Sequence, residues 1–367
     1  MIPDHPLPPV DLGRGVVVAR IAKGNWQLAQ RHGAPVGEDA AIDAMRAFVE
    51  AGLNQFDCAD HYVGVEDLIG AFRRRYPALA GQLRISTKVV PDLERLPYLT
   101  RDDVRNIVHR SLQRLGTPRL DVAQMHWWDY RVPGYVECMQ WLAELQRAGD
   151  IALLGTTNMD TPRLREIVDA GVPLATHQLQ YSLLDRRPEH GLAAYCQANR
   201  IALLCYGVLA GGFISERWLG RPEPVPPLPN RSLVKYRLII EDFGGWESFQ
   251  RLLLLLQDIA GRHATTLAAV ATHWVLQRPG VAVAIIGART AERLPETLAA
   301  LRLALTPADT AAIDALLAGC PGPPGDCYGL EREDDGPHSR IMWKNQNQHG
   351  APADAAAYVP PVYRPAR

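Results

Sequence analysis

Apolar and polar positions along this chain alternate between two spacings. Short apolar runs of strand length are followed by stretches in which apolar residues return every three or four positions, the spacing of one helix face. Between Glu38 and Ala51 the second pattern is plain: Ile42, Met45, Phe48 and Val49 share a face, acidic residues fill the first turn, and Gly52 stops it. The run Leu53 to Phe56 then predicts a strand over 53–57. Further strands are expected at 84–88, 120–126, 151–156, 174–180 and 201–206, with helices at 63–75, 101–115, 135–148, 162–170 and 189–199. Local punctuation fixes the ends. Thr100 opens one helix and Gly116 closes it, Gly149 closes the next, and Thr161-Pro162 opens a third that Gly171 stops. Ahead of these lie a short strand at 16–19 and a first barrel strand at 20–26. The eighth, at 281–286, comes after a long insertion and is followed by a helix at 290–301. Strands alternating with helices in this way predict an α/β protein built as a single (β/α)8 TIM barrel.

The insertion holds Arg221-Pro222-Glu223-Pro224-Val225-Pro226-Pro227, which neither a helix nor a central strand accepts. It predicts a long loop over the active face, within 207–245, with helices at 246–262 and 265–278 behind it. After Leu317 the chain turns to Pro321-Gly322-Pro323-Pro324-Gly325 and a polar stretch. The expected division is a barrel over 1–317 and an irregular C-terminal extension over 318–367, whose segment Cys327 to Arg332 is expected to close over the pocket.

Composition narrows the partners. A chain of 367 residues, 47% of them hydrophobic, can bury a sizeable core. A formal net charge of -1 supplies no attraction to nucleic acid or an anionic membrane surface, so a small molecule is the expected partner. Six scattered cysteines point to a reducing compartment, the cytoplasm, since no closely spaced pair suggests disulfides or zinc. No basic leader precedes an apolar segment at the start, and no run is long enough to span a membrane. His61, His109, His177 and His273 lack metal-site spacing, so no metal is expected. Nothing in the sequence sets an oligomeric state.

Chemistry gathers at the expected carboxyl ends of three successive strands. Asp57 ends one, with Tyr62 five positions on; Lys88 ends the next, and His126 the one after. If those strands are parallel neighbours, the four side chains converge where such folds place their sites. A buried tyrosine is a poor acid near neutrality unless a neighbour lowers its pKa, and Lys88 paired to Asp57 is the expected neighbour.

The four residues resemble the Asp, Tyr, Lys, His tetrad of the aldo-keto reductases, barrel enzymes that reduce carbonyls with NADPH; the likeness spans roughly 15–317. It implies an aldehyde or ketone reduced to an alcohol by hydride transfer, with Tyr62 as proton donor, Asp57 and Lys88 tuning it, and His126 orienting the carbonyl. It further implies that Thr157, Asn158 and Gln178 hold the nicotinamide carboxamide, that Tyr206 stacks on the ring, and that Leu209 and Gly211 pass near the pyrophosphate. In Ile286-Gly287-Ala288-Arg289-Thr290-Ala291-Glu292-Arg293, Gly287, Arg289 and Arg293, with Glu296, match the adenosine-phosphate end and favour NADPH over NADH. The sequence departs from one branch of the family there, with Gly287-Ala288 for Lys-Ser and Thr297 for asparagine. Trp26 is expected to wall an apolar substrate pocket together with Trp127 and Trp128, core packing being the other reading of Trp128. Two other readings stay open: a Schiff-base lyase using Lys88, and a non-catalytic, cofactor-binding regulatory subunit.

Overall fold

A computed structural model describes residues 7–29 and 36–342. Residues 343–367 of the expected extension lie outside the described residues. Eight parallel strands close on themselves in chain order: β1 (Ile21–Gly24), β2 (Gln55–Asp57), β3 (Arg84–Val89), β4 (Leu120–Met125), β5 (Ile151–Thr157), β6 (Leu174–Gln180), β7 (Ala202–Tyr206) and β8 (Val281–Gly287), the last pairing back onto β1. The expected (β/α)8 barrel is the observed one.

The helices between them are α1 (Glu38–Glu50), α2 (Val65–Arg75), α3 (Arg101–Leu115), α4 (Tyr135–Ala148), α5 (Thr161–Asp169) and α6 (Leu192–Ala198). Their stripes face the sheet, with Ile42, Met45, Phe48 and Val49 of α1 all buried. Thr100 and Asp103 form a reciprocal capping box at the start of α3, and Gly116 ends it with φ +61°, a conformation glycine enters without steric cost.

Three details differ from expectation. The first barrel strand stops at Gly24, because Trp26–Leu28 turns into a 3-10 helix. Val17–Val18 pairs antiparallel with Val10–Asp11 in a separate hairpin. Its Leu12, Val16 and Val18 pack on Ala22, Leu153, Leu204 and Val283, plugging the amino end of the barrel. The largest difference lies in the insertion. Instead of loop as far as residue 245, helix α7 (Arg231–Arg262) starts early and is broken at Gly244 and Gly245, whose φ values of +124° and +81° no helix admits. Asn230 caps its first turn through Leu233 N, and Leu233, Tyr236, Ile240 and Phe243 make a buried stripe. Helices α8 (Leu267–Leu276), α9 (Leu294–Arg302) and α10 (Pro307–Ala318) complete the outer layer. No helix among the described residues is long and apolar enough to cross a membrane.

Beyond α10 the chain crosses the carboxyl end of the barrel as irregular structure with single turns at Leu330–Arg332 and Pro337–Arg340. It is anchored by charge. Arg187 is buried, and its guanidinium holds Asp185 on one side (2.7 Å) and Glu331 on the other (2.9 Å). Arg186 donates to the carbonyls of Leu317 and Cys320.

Candidate active site

Asp57, Lys88, Gln124, Thr157, Gln178 and Tyr206 stand near the carboxyl ends of β2 to β7, where register pairs Lys88 with Gln124 and Thr157 with Gln178, and sets Asp57 beside Ser86 and Tyr206 beside Gln180. Tyr62 sits past the end of β2, where the loop keeps sheet-like bonds: Cys58 N donates to Ser86 O and Asp60 N to Lys88 O. Two further turns, Tyr62 N to Ala59 O and Val65 N to Tyr62 O, fix the tyrosine between that loop and α2. His126 N donates to Val89 O and so extends β4 alongside β3.

At the centre, the Lys88 ammonium donates to Asp57 Oδ1 (2.8 Å), Asp57 Oδ2 (2.9 Å) and Cys58 O (2.9 Å). Burial is the largest influence and works against its charge, but Asp57, with Tyr62 and Cys58, together outweighs it and the lysine pKa ends above its ordinary value. Nζ lies 5.3 Å from the Tyr62 ring centroid, close enough for its charge to act on the phenol. The expected direction of the tyrosine shift is corrected here. Burial pushes Tyr62 up to about 12, more than Lys88 pulls it down, and the Asp57 carboxylate adds to the rise. In this state Lys88 limits the rise and does not reverse it. His126 is held neutral: burial and then the Arg332 guanidinium keep its pKa well below the usual histidine value. Its Nδ1 meets Thr157 O at 3.3 Å, and a carbonyl only accepts, so Nδ1 is the donor there and Nε2 offers a lone pair. Nε2 is buried without a partner among the described residues.

Next to this cluster stand two amides with opposite offers. Gln178 Nε2 donates to Asp57 Oδ1 (2.6 Å) and Gln124 Oε1 (2.9 Å); a carboxylate takes no other kind of partner, so the Gln178 oxygen is left for the cavity. Asn158 accepts from the Tyr206 hydroxyl through Oδ1 (2.8 Å), which leaves its NH2. The two residues are tied by Asn158 N to Gln178 O (2.9 Å). Thr157 Oγ1 beside them is buried and unpartnered among the described residues.

Asp57, Tyr62, Lys88, His126, Thr157, Asn158, Gln178 and Tyr206 line one cavity of about 690 Å³ that runs across the barrel mouth, with Gln124 behind them. The same cavity is lined by Trp26, Leu209, Gly211, Gly287, Arg289, Arg293 and Glu296, so the sequence-predicted residues are brought together with one exception. Trp127 is not a wall. Its ring is buried under Gly134 and Tyr135 and its Nε1 donates to Val132 O (2.9 Å), because alternate side chains after β4 point to opposite sides. Trp128 lines the cavity instead, edge-on to His126 at 4.2 Å. A Cβ at Gly287 would fall 2.1 Å from the Gln27 amide, the end of a flexible side chain that would have to swing aside. Arg293, at the N-cap of α9, pairs with Glu296 at 3.1 Å.

A family model described as the Aldo/keto reductase family matches residues 20–318. The chain belongs to the aldo/keto reductase family. Aldo-keto reductase YhdN of Bacillus subtilis is 26% identical over 280 residues, 75% of this chain and 82% of that one. The NADH-specific methylglyoxal reductase of Escherichia coli is 26% identical over 318 residues, 80% of this chain and 93% of that one. A thermostable aldo-keto reductase solved with the inhibitor epalrestat superposes with a TM-score of 0.67 at 26% identity, covering 84% of this chain and 99% of its own. Family membership makes this an oxidoreductase barrel whose relatives act on small carbonyl compounds.

Several cavity residues carried no signal that sequence reading used: Lys235, Ser232 and Tyr236 from α7, and Ile341 and Met342 from the tail. The buried stripe of α7 was the available clue. Tyr328 and Arg332 fall in the tail segment expected to close the pocket. The Tyr328 ring lies edge-on to His126 at 5.6 Å, and Arg332 donates to Trp127 O (2.6 Å) and Asn158 O (2.8 Å).

Proposed function

We propose that this family member reduces an aldehyde or ketone to an alcohol with NADPH, and that Tyr62 supplies the proton. The observation that carries the reading is the convergence of Asp57, Tyr62, Lys88 and His126 on one face of a cavity whose neighbouring wall offers a carboxamide one donor and one acceptor. A carboxamide presents one oxygen and one NH2, so Asn158 and Gln178 complement it and fix which face of a nicotinamide ring is turned to the tyrosine. A bound reduced nicotinamide supplies the hydride. Tyr62 then holds the proton that the carbonyl oxygen must receive as charge develops on it. Lys88, kept ionised by Asp57, stabilises the phenolate that remains. For His126 to orient a carbonyl it must donate, which requires moving its proton to Nε2; the contact given up is a long, weak one.

Coenzyme choice rests on this chain's own residues, since the E. coli relative is named NADH-specific. Arg289 and Arg293 flank the start of α9, where a helix N-terminus and guanidinium groups together suit a phosphate, and that favours NADPH. Glu296 on Arg293 tempers the preference. A Schiff-base role for Lys88 needs a neutral amine, and its pKa is raised. We also place the protein in the cytoplasm, in keeping with six free, buried thiols, and divide it into a barrel over 1–317 and a covering extension over 318–367.

The test compares wild type with Tyr62→Phe, each assayed with NADPH and with NADH across sugars, aromatic aldehydes, quinones and keto-steroids. Expected are faster turnover with NADPH, and loss of turnover in the variant with coenzyme affinity nearly unchanged. Undiminished turnover in Tyr62→Phe would refute the assignment of the proton donor, and wild-type inactivity towards every carbonyl would favour the regulatory reading.

A further inference from the structure

Lys235 lies on the buried side of α7, in a stretch where sequence reading expects only loop. Its ammonium stands among three tyrosine rings, 5.1 Å from the centroid of Tyr206, 5.6 Å from Tyr328 and 5.8 Å from Tyr236. The carboxylate paired with it, Glu331, is 3.9 Å away, beyond hydrogen-bond reach. Both Glu331 oxygens are already held by the Arg187 fork, at 2.9 and 3.2 Å. Burial lowers the pKa of the Lys235 ammonium and Glu331 works against that lowering, while the rings turn their negative quadrupoles to it; its N–H groups gain strong bonds only from an oxygen acceptor. Lys235 lines the same cavity as Tyr62 and His126. The Tyr328 ring bridges the two regions, touching His126 at 5.6 Å on one side and Lys235 at 5.6 Å on the other.

We propose that Lys235 makes this site selective for carbonyl compounds bearing a carboxylate, the carbonyl being presented to Tyr62 and His126 while the carboxylate accepts from the Lys235 ammonium. The inference rests on the carbonyl-reductase reading above and adds the substrate class to it. A carboxylate fits better than a phosphate. One ammonium matches one negative charge, and the two terminal nitrogens of the nearby Arg332 guanidinium already donate to the Trp127 and Asn158 carbonyls, leaving only its buried Nε without a partner among the described residues. The arginines suited to a phosphate, Arg289 and Arg293, stand at α9, in the part of the cavity assigned above to the coenzyme. The wall around the carboxylate's path is aromatic, from Trp26, Trp128 and Tyr328, so a flat or short apolar spacer between the two polar groups suits it.

The test uses para-carboxybenzaldehyde and its methyl ester, which differ by one charge at nearly constant shape, assayed with coenzyme on the full-length protein. In the wild type the acid is expected to exceed the ester in kcat/KM by about ten-fold or more, chiefly through a lower KM, as one charge-assisted hydrogen bond provides. In Lys235→Met that ratio is expected to fall to about one, and in Lys235→Arg to be largely retained. A wild-type ratio at or below one overturns the inference on the native protein, whatever the variants do. An unchanged ratio in Lys235→Met overturns it too, because a merely structural loss lowers both substrates together. If the ester is reduced and the acid is not favoured, only the carboxylate inference fails. If neither aldehyde nor any other carbonyl is reduced, the underlying reading fails with it.

Discussion

Near the end of β1 a lysine is buried with no carboxylate bonded to it among the described residues. Lys23 is fully buried between the Phe48 and Phe56 rings and donates to Asn25 Oδ1 (2.7 Å) and Ala288 O (2.9 Å). Burial without a carboxylate lowers its pKa from 10.5 to about 7. Between those two values the unfolded chain binds a proton that the folded chain does not, so this residue makes stability rise with pH, by up to about 1.4 kcal/mol per unit. Below the folded value both states carry the charge and its burial cost is present in full. Denaturant unfolding of wild type and Lys23→Met from pH 7 to 10 should show wild type gaining on the variant across that window. A constant gap would mean that Lys23 stays charged throughout. The catalytic candidates, by contrast, were legible as residue types: Asp57, Tyr62 and Lys88 announce themselves by spacing. What spacing did not convey was the sign of the tyrosine shift, because burial depends on how tightly Trp26 and His61 pack on its ring, at 4.8 Å each.

Among the elements, α2 carries the most direct link between packing and chemistry, since it begins three residues after Tyr62. It crosses α3 at Gly70, where a Cβ would lie 2.0 Å from Arg114 O. Because that atom is backbone, only a shift of one helix relieves the clash. Gly70→Ala is expected to destabilise by about 1–3 kcal/mol, read as a lower Tm in thermal unfolding, with the displaced α2 also raising KM through Tyr62. An unaltered Tm would show that the crossing gives way freely. Helices α1 to α6 could be read from sequence because each has a stripe, a start and a stop. The first part of α7 could not, since the proline-rich segment before it and Gly244-Gly245 after it both suggest loop, and its stripe of Leu233, Tyr236, Ile240 and Phe243 is short.

On the scale of the whole molecule, the tail is held to the barrel by several polar contacts, among them Arg332 on the Trp127 and Asn158 carbonyls, His338 beside Asp242, and the buried group of Arg187, Asp185 and Glu331. Burial alone would raise the Glu331 pKa, but Arg187 and Lys235 hold it down at about 2, so it stays ionised at any physiological pH. Glu331→Ala leaves two buried cations sharing Asp185. The expected cost is about 3–5 kcal/mol in denaturant unfolding, together with a loosened Tyr328 wall and a higher substrate KM. Retained stability would mean that the apolar contacts of Cys327, Tyr328 and Ile341, with the polar ones of Arg332 and His338, anchor the tail without the Glu331 group. By itself the sequence determined the barrel, its strand order and the four residues at its mouth, since hydrophobic period and local caps are properties of neighbours in the chain. Only the tertiary structure decided that Trp128 and not Trp127 faces the cavity, that Lys235 reaches it from an insertion, and which way each buried charge is shifted. Those outcomes depend on side chains distant in sequence meeting in a medium from which water is largely removed.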